Sequence, residues 1–311
     1  MALLGLAYWL HTGPRAVPGL IEDLHGEDVQ AQQLAAMHLG QIGPAAKAAV
    51  PPLVNLAQSG DSYPATTAAG ALPPIDLSAA RQVMTTWLPR LQDPDPQVRR
   101  EAASVLSALG PVAKPAVPAL LIILNDPNSV VRERVVRALG SIGLPIDAVI
   151  GGLIQALHDP EWTVRYAAVT QFSFSGFSSP ESLAALQELT KDSNQTVARS
   201  AQSAVASAQR PISVSVYIYT LGQPRDRTYP LLQLAKLGPR AAEAAPQLAA
   251  LLTAERPLER YLAACALESI GPSAKGSLTA LEQSVQDPDP VVRAAVVEAM
   301  QSIARERSAA P

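Results

Sequence analysis

Cysteine is nearly missing from this 311-residue chain, and phenylalanine and tryptophan occur three times each. The single cysteine, Cys265, excludes an intramolecular disulfide, and nothing points to an oxidising compartment, so the cytoplasm is the default location. With aromatics at 4% and apolar residues at 48%, the core has to be built from Ala, Leu, Val and Ile, side chains that let helices pack closely. A net charge of −3 gives no overall attraction to nucleic-acid phosphates or to an anionic membrane surface. Any basic surface must be local. No run reaches the ~18–20 consecutive apolar residues of a membrane-spanning helix. The apolar start, Met1 to Leu10, lacks the basic opening and small-residue cleavage site of a signal peptide; it reads as a helix of a half-unit, 1–13.

Patterns that carry chemistry are missing as well. The histidines His11, His25, His38 and His158 form no His-Glu-x-x-His arrangement and have no cysteine pairs beside them, which leaves no zinc site. The cluster from Glu22 to Asp28 gathers carboxylates without the alternating ligand order of an EF-hand loop, and reads as a solvated turn. Gly271 to Ser277 imitates a phosphate-binding loop, yet it lacks the lysine after the last glycine and follows a helical pattern rather than a strand. There is no Gly-x-Ser-x-Gly elbow and no dinucleotide fingerprint. No metal and no cofactor is expected, and the chain is not expected to be an enzyme.

What the sequence does contain is repetition. The segment Asp93-Pro-Asp-Pro-Gln-Val-Arg99 returns 33 residues on, from Asp126 to Arg132, and again from Asp159 to Arg165. Another step reaches Asp192, and the motif reappears intact from Asp287 to Arg293. Glycines run in phase with it: Gly43, Gly110, Gly143, Gly176, Gly238 and Gly271. Between these markers the apolar residues keep a helical period, as in Val98, Ala102, Val105, Leu106 and Leu109, matched by Val131, Val135, Ala138, Leu139 and Ile142. Each unit therefore holds two helices. The first, of the type Pro115 to Leu124, has proline in its opening turn, where the missing N–H costs little. The second follows an Asp-Pro turn, with Asp95, Asn128, Glu161, Asn194 or Asp289 at the N-cap, and glycine ends it.

These units resemble HEAT repeats: a helix, an Asp-containing turn, a Val-Arg helix opening and a closing glycine. The resemblance covers nearly the whole chain and implies an all-α fold, a right-handed α-α superhelix of about nine helix pairs in a single array over 1–311. The units fall near 17–42, 48–73, 77–109, 115–142, 145–175, 180–209, 211–237, 241–270 and 274–304. The pattern weakens at Pro64 to Pro74 and at Pro211 to Pro230. Ile212 to Tyr219 alternates with period two, which alone reads as a strand, but a lone strand has no partner for its backbone groups, so its place in the array predicts a helix in an irregular unit 211–237.

The turn aspartate and helix arginine admit two readings. Arg99, Arg132, Arg165 and Arg293 form either a row of anion contacts or a structural ladder, each bonded to Asp93, Asp126, Asp159 or Asp287 of its own or the adjacent unit. The ladder is favoured, because the first unit has Gly26 and Gln32 at the two places and so loses both partners together. Arg260 faces Ala254, so the pairing is not absolute.

A solenoid presents a concave face, which HEAT arrays line with their second helices. The helical register exposes Arg100, Glu101 and Ser104, then Glu133, Arg134 and Arg137, then Tyr166 and Thr170, and later Tyr261, Glu268, Glu298 and Gln301. Cys265 falls on the solvent side, half-buried. Arginine beside Tyr166 and Trp162 suits an interface anchor. The expected function is a non-enzymatic scaffold binding an acidic or mixed-charge protein or peptide at Arg100, Glu101, Arg134, Arg137, Trp162, Tyr166 and Thr170, with no nucleic acid, no membrane span and no metal. Two other HEAT-like classes fit less well. A bilin lyase or chaperone subunit would reveal itself by an absorbance change on mixing with bilin and apoprotein. A DNA-binding glycosylase is disfavoured by the acidic balance and sparse aromatics, and deoxyhypusine hydroxylases carry His-Glu iron ligands that this chain lacks.

Exhaustive chelation is therefore expected to leave helicity and melting unchanged, as no ligand set couples metal to folding. Stoichiometric metal in the purified protein would contradict this.

Overall fold

The computed structural model describes residues 13–59, 62–144, 146–175, 179–208, 213–223 and 227–305. The half-unit 1–13 and the closing Gly176 lie outside them, apart from Gly13. The described residues form helices with no strand, in nine pairs. These are α1 (Val17–His25) with α2 (Val29–Ile42), α3 (Val50–Gln58) with α4 (Ser62–Ile75), and α5 (Leu77–Trp87) with α6 (Pro96–Leu109). The middle pairs are α7 (Val117–Ile123) with α8 (Ser129–Ile142), α9 (Ile146–Leu157) with α10 (Trp162–Ser175), and α11 (Pro180–Leu189) with α12 (Gln195–Ala208). The last are α13 (Val214–Leu221) with α14 (Thr228–Leu237), α15 (Ala245–Leu251) with α16 (Pro257–Ile270), and α17 (Leu278–Ser284) with α18 (Pro290–Ala304). The alternating segment near Tyr217 is thus helical.

Local chemistry places these boundaries. Asp95, Asn128, Asn194 and Asp289 each accept a backbone N–H of the following helix, while Glu161 holds the same place through its carbonyl. Gly110 closes α6 at φ +56°, a left-handed conformation that a side chain disfavours even though the space around it is open. After it Gly110–Ala116 forms a 3-10 turn, so the first helix of this unit starts at Val117 and not at the expected Pro115, which sits in the turn. The stretch Pro96–Ile123 is long and apolar enough to cross a membrane by length and composition. It is instead two helices folded across that turn, and most of its apolar side chains pack into or against the core.

The even-numbered helices stack side by side, each pressing buried alanines such as Ala36, Ala69, Ala103, Ala138 and Ala168 toward its neighbours. Ordinary close packing with so few large side chains needs this short approach. The turns are tied by arginine. Arg99 donates from Nε and Nη2 to Asp126 of the next unit at 2.6 and 2.9 Å, while Nη1 donates to the Asp93 and Pro94 carbonyls of its own turn. Arg132 to Asp159 and Arg165 to Asp192 repeat this arrangement. Each carboxylate also accepts the N–H two residues on, at Asn128, Glu161 and Asn194. The carboxylate of each rung belongs to the adjacent unit, while the arginine's own turn supplies only carbonyls. Arg260 therefore does have a carboxylate: it grips Asp287 and takes only carbonyls from Ala254 and Glu255, which corrects the expectation of an unpaired position. In the last unit Arg293 keeps only the carbonyl half, to Asp287 and Pro288. In the first, Gln32 reproduces that half by donating to the Gly26 carbonyl.

The ladder stops at Asp192, whose unit has Ala198 where the arginine belongs. Stacking stops there too, for α12 makes no substantial contact with α13 or α14. The last three pairs form a second stack, joined within by Arg227 to Glu259 and Arg260 to Asp287. This second stack lays its inner helices across the glycine-turn edge of the first, with α16 against α4 and α18 against α5. The Tyr261 hydroxyl donates to the Pro111 carbonyl at 2.9 Å, Lys114 lies 2.6 Å from Glu268 and 2.7 Å from Glu298, and Lys236 donates to the Gly140 carbonyl. Tyr261 and Cys265, expected at solvent, are consequently buried, and Glu268 is occupied in the seam. Burial pushes the Cys265 thiol up to about 12, only partly opposed by Lys114.

Removing a ladder arginine strands a buried carboxylate, so Arg132→Ala is expected to lower stability by about 1–3 kcal/mol, read from the denaturation midpoint. Asp192 is held below the ordinary aspartate value by its bonds to Arg165 and the Asn194 N–H. Its contribution is therefore present above the unfolded value and lost as pH falls through the lower folded one, so acid unfolding of Arg165→Ala should show a shallower pH dependence. Cys265 should resist iodoacetamide at pH 8 in the native protein and react on unfolding; fast native labelling would mean an open seam.

Candidate inner-face anion cleft

The seam covers the inner face of the second stack, but the inner face of α4, α6 and α8 remains open. There, a cleft of about 480 Å³ is lined by Tyr63, Thr66, Thr67, Arg100, Ser104 and Arg134. Arg100 stands in the second turn of α6 and Arg134 in the second turn of α8, so successive stacked helices bring both guanidinium groups to one cleft. Neither makes a hydrogen bond or ion pair through its side chain among the described residues. Burial, and then the charges of Arg137 and Arg100, hold the Arg134 guanidinium below its ordinary value, with Glu133 opposing. An arrangement of like charge in a partly desolvated cleft is unfavourable by itself and favourable to an anion.

The remaining expected residues divide. Arg137 borders the cleft but is paired with Glu133 one turn back, at 2.9 Å. Glu101 accepts from Gln97 at 3.0 Å. Tyr166 is half-buried against the core, and the Thr170 hydroxyl donates to the Ala167 carbonyl, so neither lines the cleft. Trp162 lies on the other edge, in a shallow depression with Glu161, Arg165 and Ser193. The structure therefore brings together Arg100 and Arg134, not the full set. It adds Tyr63, 71% exposed, and Thr66 and Thr67. A step of 33 back from Arg99 and Arg100 lands on Thr66 and Thr67, a signal available in the repeat register but masked by the prolines of that unit. Among the described residues no three His, Cys, Asp or Glu side chains gather as a metal site.

Profile comparison matches HEAT repeats at residues 84–150 and 117–206, and a further HEAT repeat at 278–306. No curated protein matches the sequence. Among solved structures, the chain is similar to an engineered protein at 21% identity and a TM-score of 0.38, covering 92% of this chain and 88% of that one. It is also similar to a designed armadillo repeat protein crystallised with the peptide (KR)4, at 20% identity and a TM-score of 0.41, covering 62% of this chain and 99% of that one. Overlaps of this size carry no argument about function.

Replacing Arg134 by Met keeps the apolar stem and removes a charge three residues from Arg137. The variant is expected to be more stable by about 0.2–0.5 kcal/mol, the scale of a like-charge pair on neighbouring helical positions, checked by thermal denaturation.

Proposed function

The chain carries HEAT repeats, and from that premise we propose that it is a non-enzymatic scaffold that binds an acidic or mixed-charge protein segment on the open inner face of α4, α6 and α8. The observation that supports this is the pair of uncompensated guanidinium groups, Arg100 and Arg134, facing one cleft. Arginine forks grip carboxylates with fixed geometry, and the exposed Tyr63 ring beside them offers an apolar plane with a polar tip. Hydroxyls of Thr66 and Ser104 line the same cleft, next to where a carboxylate would sit. Arg137 and Glu133, on the same helix as Arg134 and paired with each other, suit a segment of mixed charge. Nothing in this site calls for a globally basic protein.

Exposed contacts of this kind are screened by salt. Binding of glutamate-rich peptides, followed by fluorescence anisotropy, is expected to weaken with ionic strength and to exceed that of lysine-rich controls. Arg134→Glu combined with Arg137→Glu should reduce affinity by about tenfold or more, the equivalent of one charged hydrogen bond, with only a small fall in melting temperature from the lost Arg137–Glu133 pair. Substituting Gln187 or Gln247, on outer helices, should change nothing. Equal affinity in the charge-reversed protein would move the site elsewhere, first to the turns around Trp162.

A further inference from the structure

The seam between the two stacks forms a second, half-open cavity of about 330 Å³, remote in composition from the inner-face cleft. Its walls are largely apolar: Val117, Leu121 and Ala148 come from the first stack and Ala295 from the second. Arg81, Lys114 and Glu298 bring charge to it. Lys114 is satisfied by Glu268 and Glu298. Arg81 is not. Its Nε is buried without an acceptor, and its guanidinium makes no hydrogen bond or ion pair among the described residues. The rest of the side chain is partly exposed, but a buried N–H left without an acceptor still carries a desolvation cost that natural structures rarely keep without a reason. The neighbouring groups do not supply that acceptor: the Tyr261 hydroxyl is directed to the Pro111 carbonyl, and the carboxylates are drawn to Lys114.

We infer that this seam cavity binds a small organic anion, a carboxylate or phosphate monoester with an aliphatic or aromatic body, whose oxygens accept from Arg81. The apolar part of the ligand lies on Val117, Leu121 and Ala295. An inorganic ion would satisfy the arginine but leave the apolar walls uncovered, and a cation would meet Arg81 with repulsion. Because the walls come from both stacks, the ligand binds the closed seam and not the separated one, and so stabilises the closure in proportion to its occupancy. The inference is independent of the inner-face cleft, as the two sites share no residue.

The test uses the full chain with octanoate and phenyl phosphate as probes, and with octanol and inorganic phosphate as controls. A saturable rise in melting temperature is expected with octanoate, phenyl phosphate or both, which also separates carboxylate from phosphate preference. The controls should give none at equal concentration. Bound probe should also slow the residual alkylation of Cys265, which lies behind the same seam. Arg81→Met should weaken probe binding by about tenfold or more, and should not lower the melting temperature of the unliganded protein. Glu298→Gln, which removes the carboxylate from the lining and leaves Lys114 paired with Glu268, should tighten anion binding. A merely structural role for Arg81 would not produce that gain, and the second variant keeps the test decisive if the first folds poorly. No saturable effect of either probe would overturn the site. So would equal binding by Arg81→Met, or an equal response to inorganic phosphate.

Discussion

The arginine fork between consecutive turns is the contact on which the rest of this architecture depends. One guanidinium joins four acceptor atoms on three residues of its own turn and the next, and the receiving carboxylate caps its own turn at the same time. Such a charge-assisted, two-pronged bond fixes angle as well as distance. It therefore sets how one helix pair is rotated on the last. Its energetic contribution per rung is modest after desolvation, since buried ion pairs recover little more than they lose. Its geometric contribution is larger, because alanine-lined helices slide easily without large side chains to lock their register.

The first units stack α2, α4 and α6 without a fork, but after Asp192 its loss coincides with a change of course. Ala198 follows Asp192 in place of an arginine, and the next pair does not stack on α12. The chain resumes with Arg227 bonded to Glu259 and Arg260 to Asp287, of which only the second repeats the two-pronged fork. Two stacks result, and a stack with an apolar inner face needs cover. The second finds it on the glycine-turn edge of the first, where the carbonyls of Pro111, in a Gly-Pro turn, and of Gly140, in the last turn of α8, accept from Tyr261 and Lys236. Glycines at Gly43 and Gly143 permit the approach as well as the turn, for a side chain there would run into Arg256 or Lys236.

This closure sorts the surface. The inner face of the last three pairs is consumed by the molecule itself, and that of α4, α6 and α8 is left open. Two inner sites hold arginines without a hydrogen bond or ion pair among the described residues, and they differ in character: a polar, open cleft at Arg100 and Arg134, and a largely apolar seam cavity at Arg81. Neither arginine set serves the ladder, whose own arginines are all engaged among the described units.

Periodicity alone determined much of this protein. A 33-residue step, with aspartate, arginine and glycine in fixed phase, dictates paired helices, their caps and their left-handed closing glycines, because these depend on residues within one unit or its immediate neighbour. The helical fate of Val214–Leu221 followed from the same register, against its local alternation. The cleft was legible in part: Arg100 and Arg134 stand out by register, while Thr66 and Thr67 are visible only once the proline-rich second unit is aligned to the others. What the sequence left undecided was contact between distant units. The burial of Tyr261 and Cys265, the pairing of Lys114 with Glu268 and Glu298, and the unsatisfied Arg81 join residues separated by more than a hundred positions in the chain. A repeat pattern specifies each unit's neighbours but carries no term for units that meet by folding back, so only the tertiary structure decided which parts of the inner face stay open.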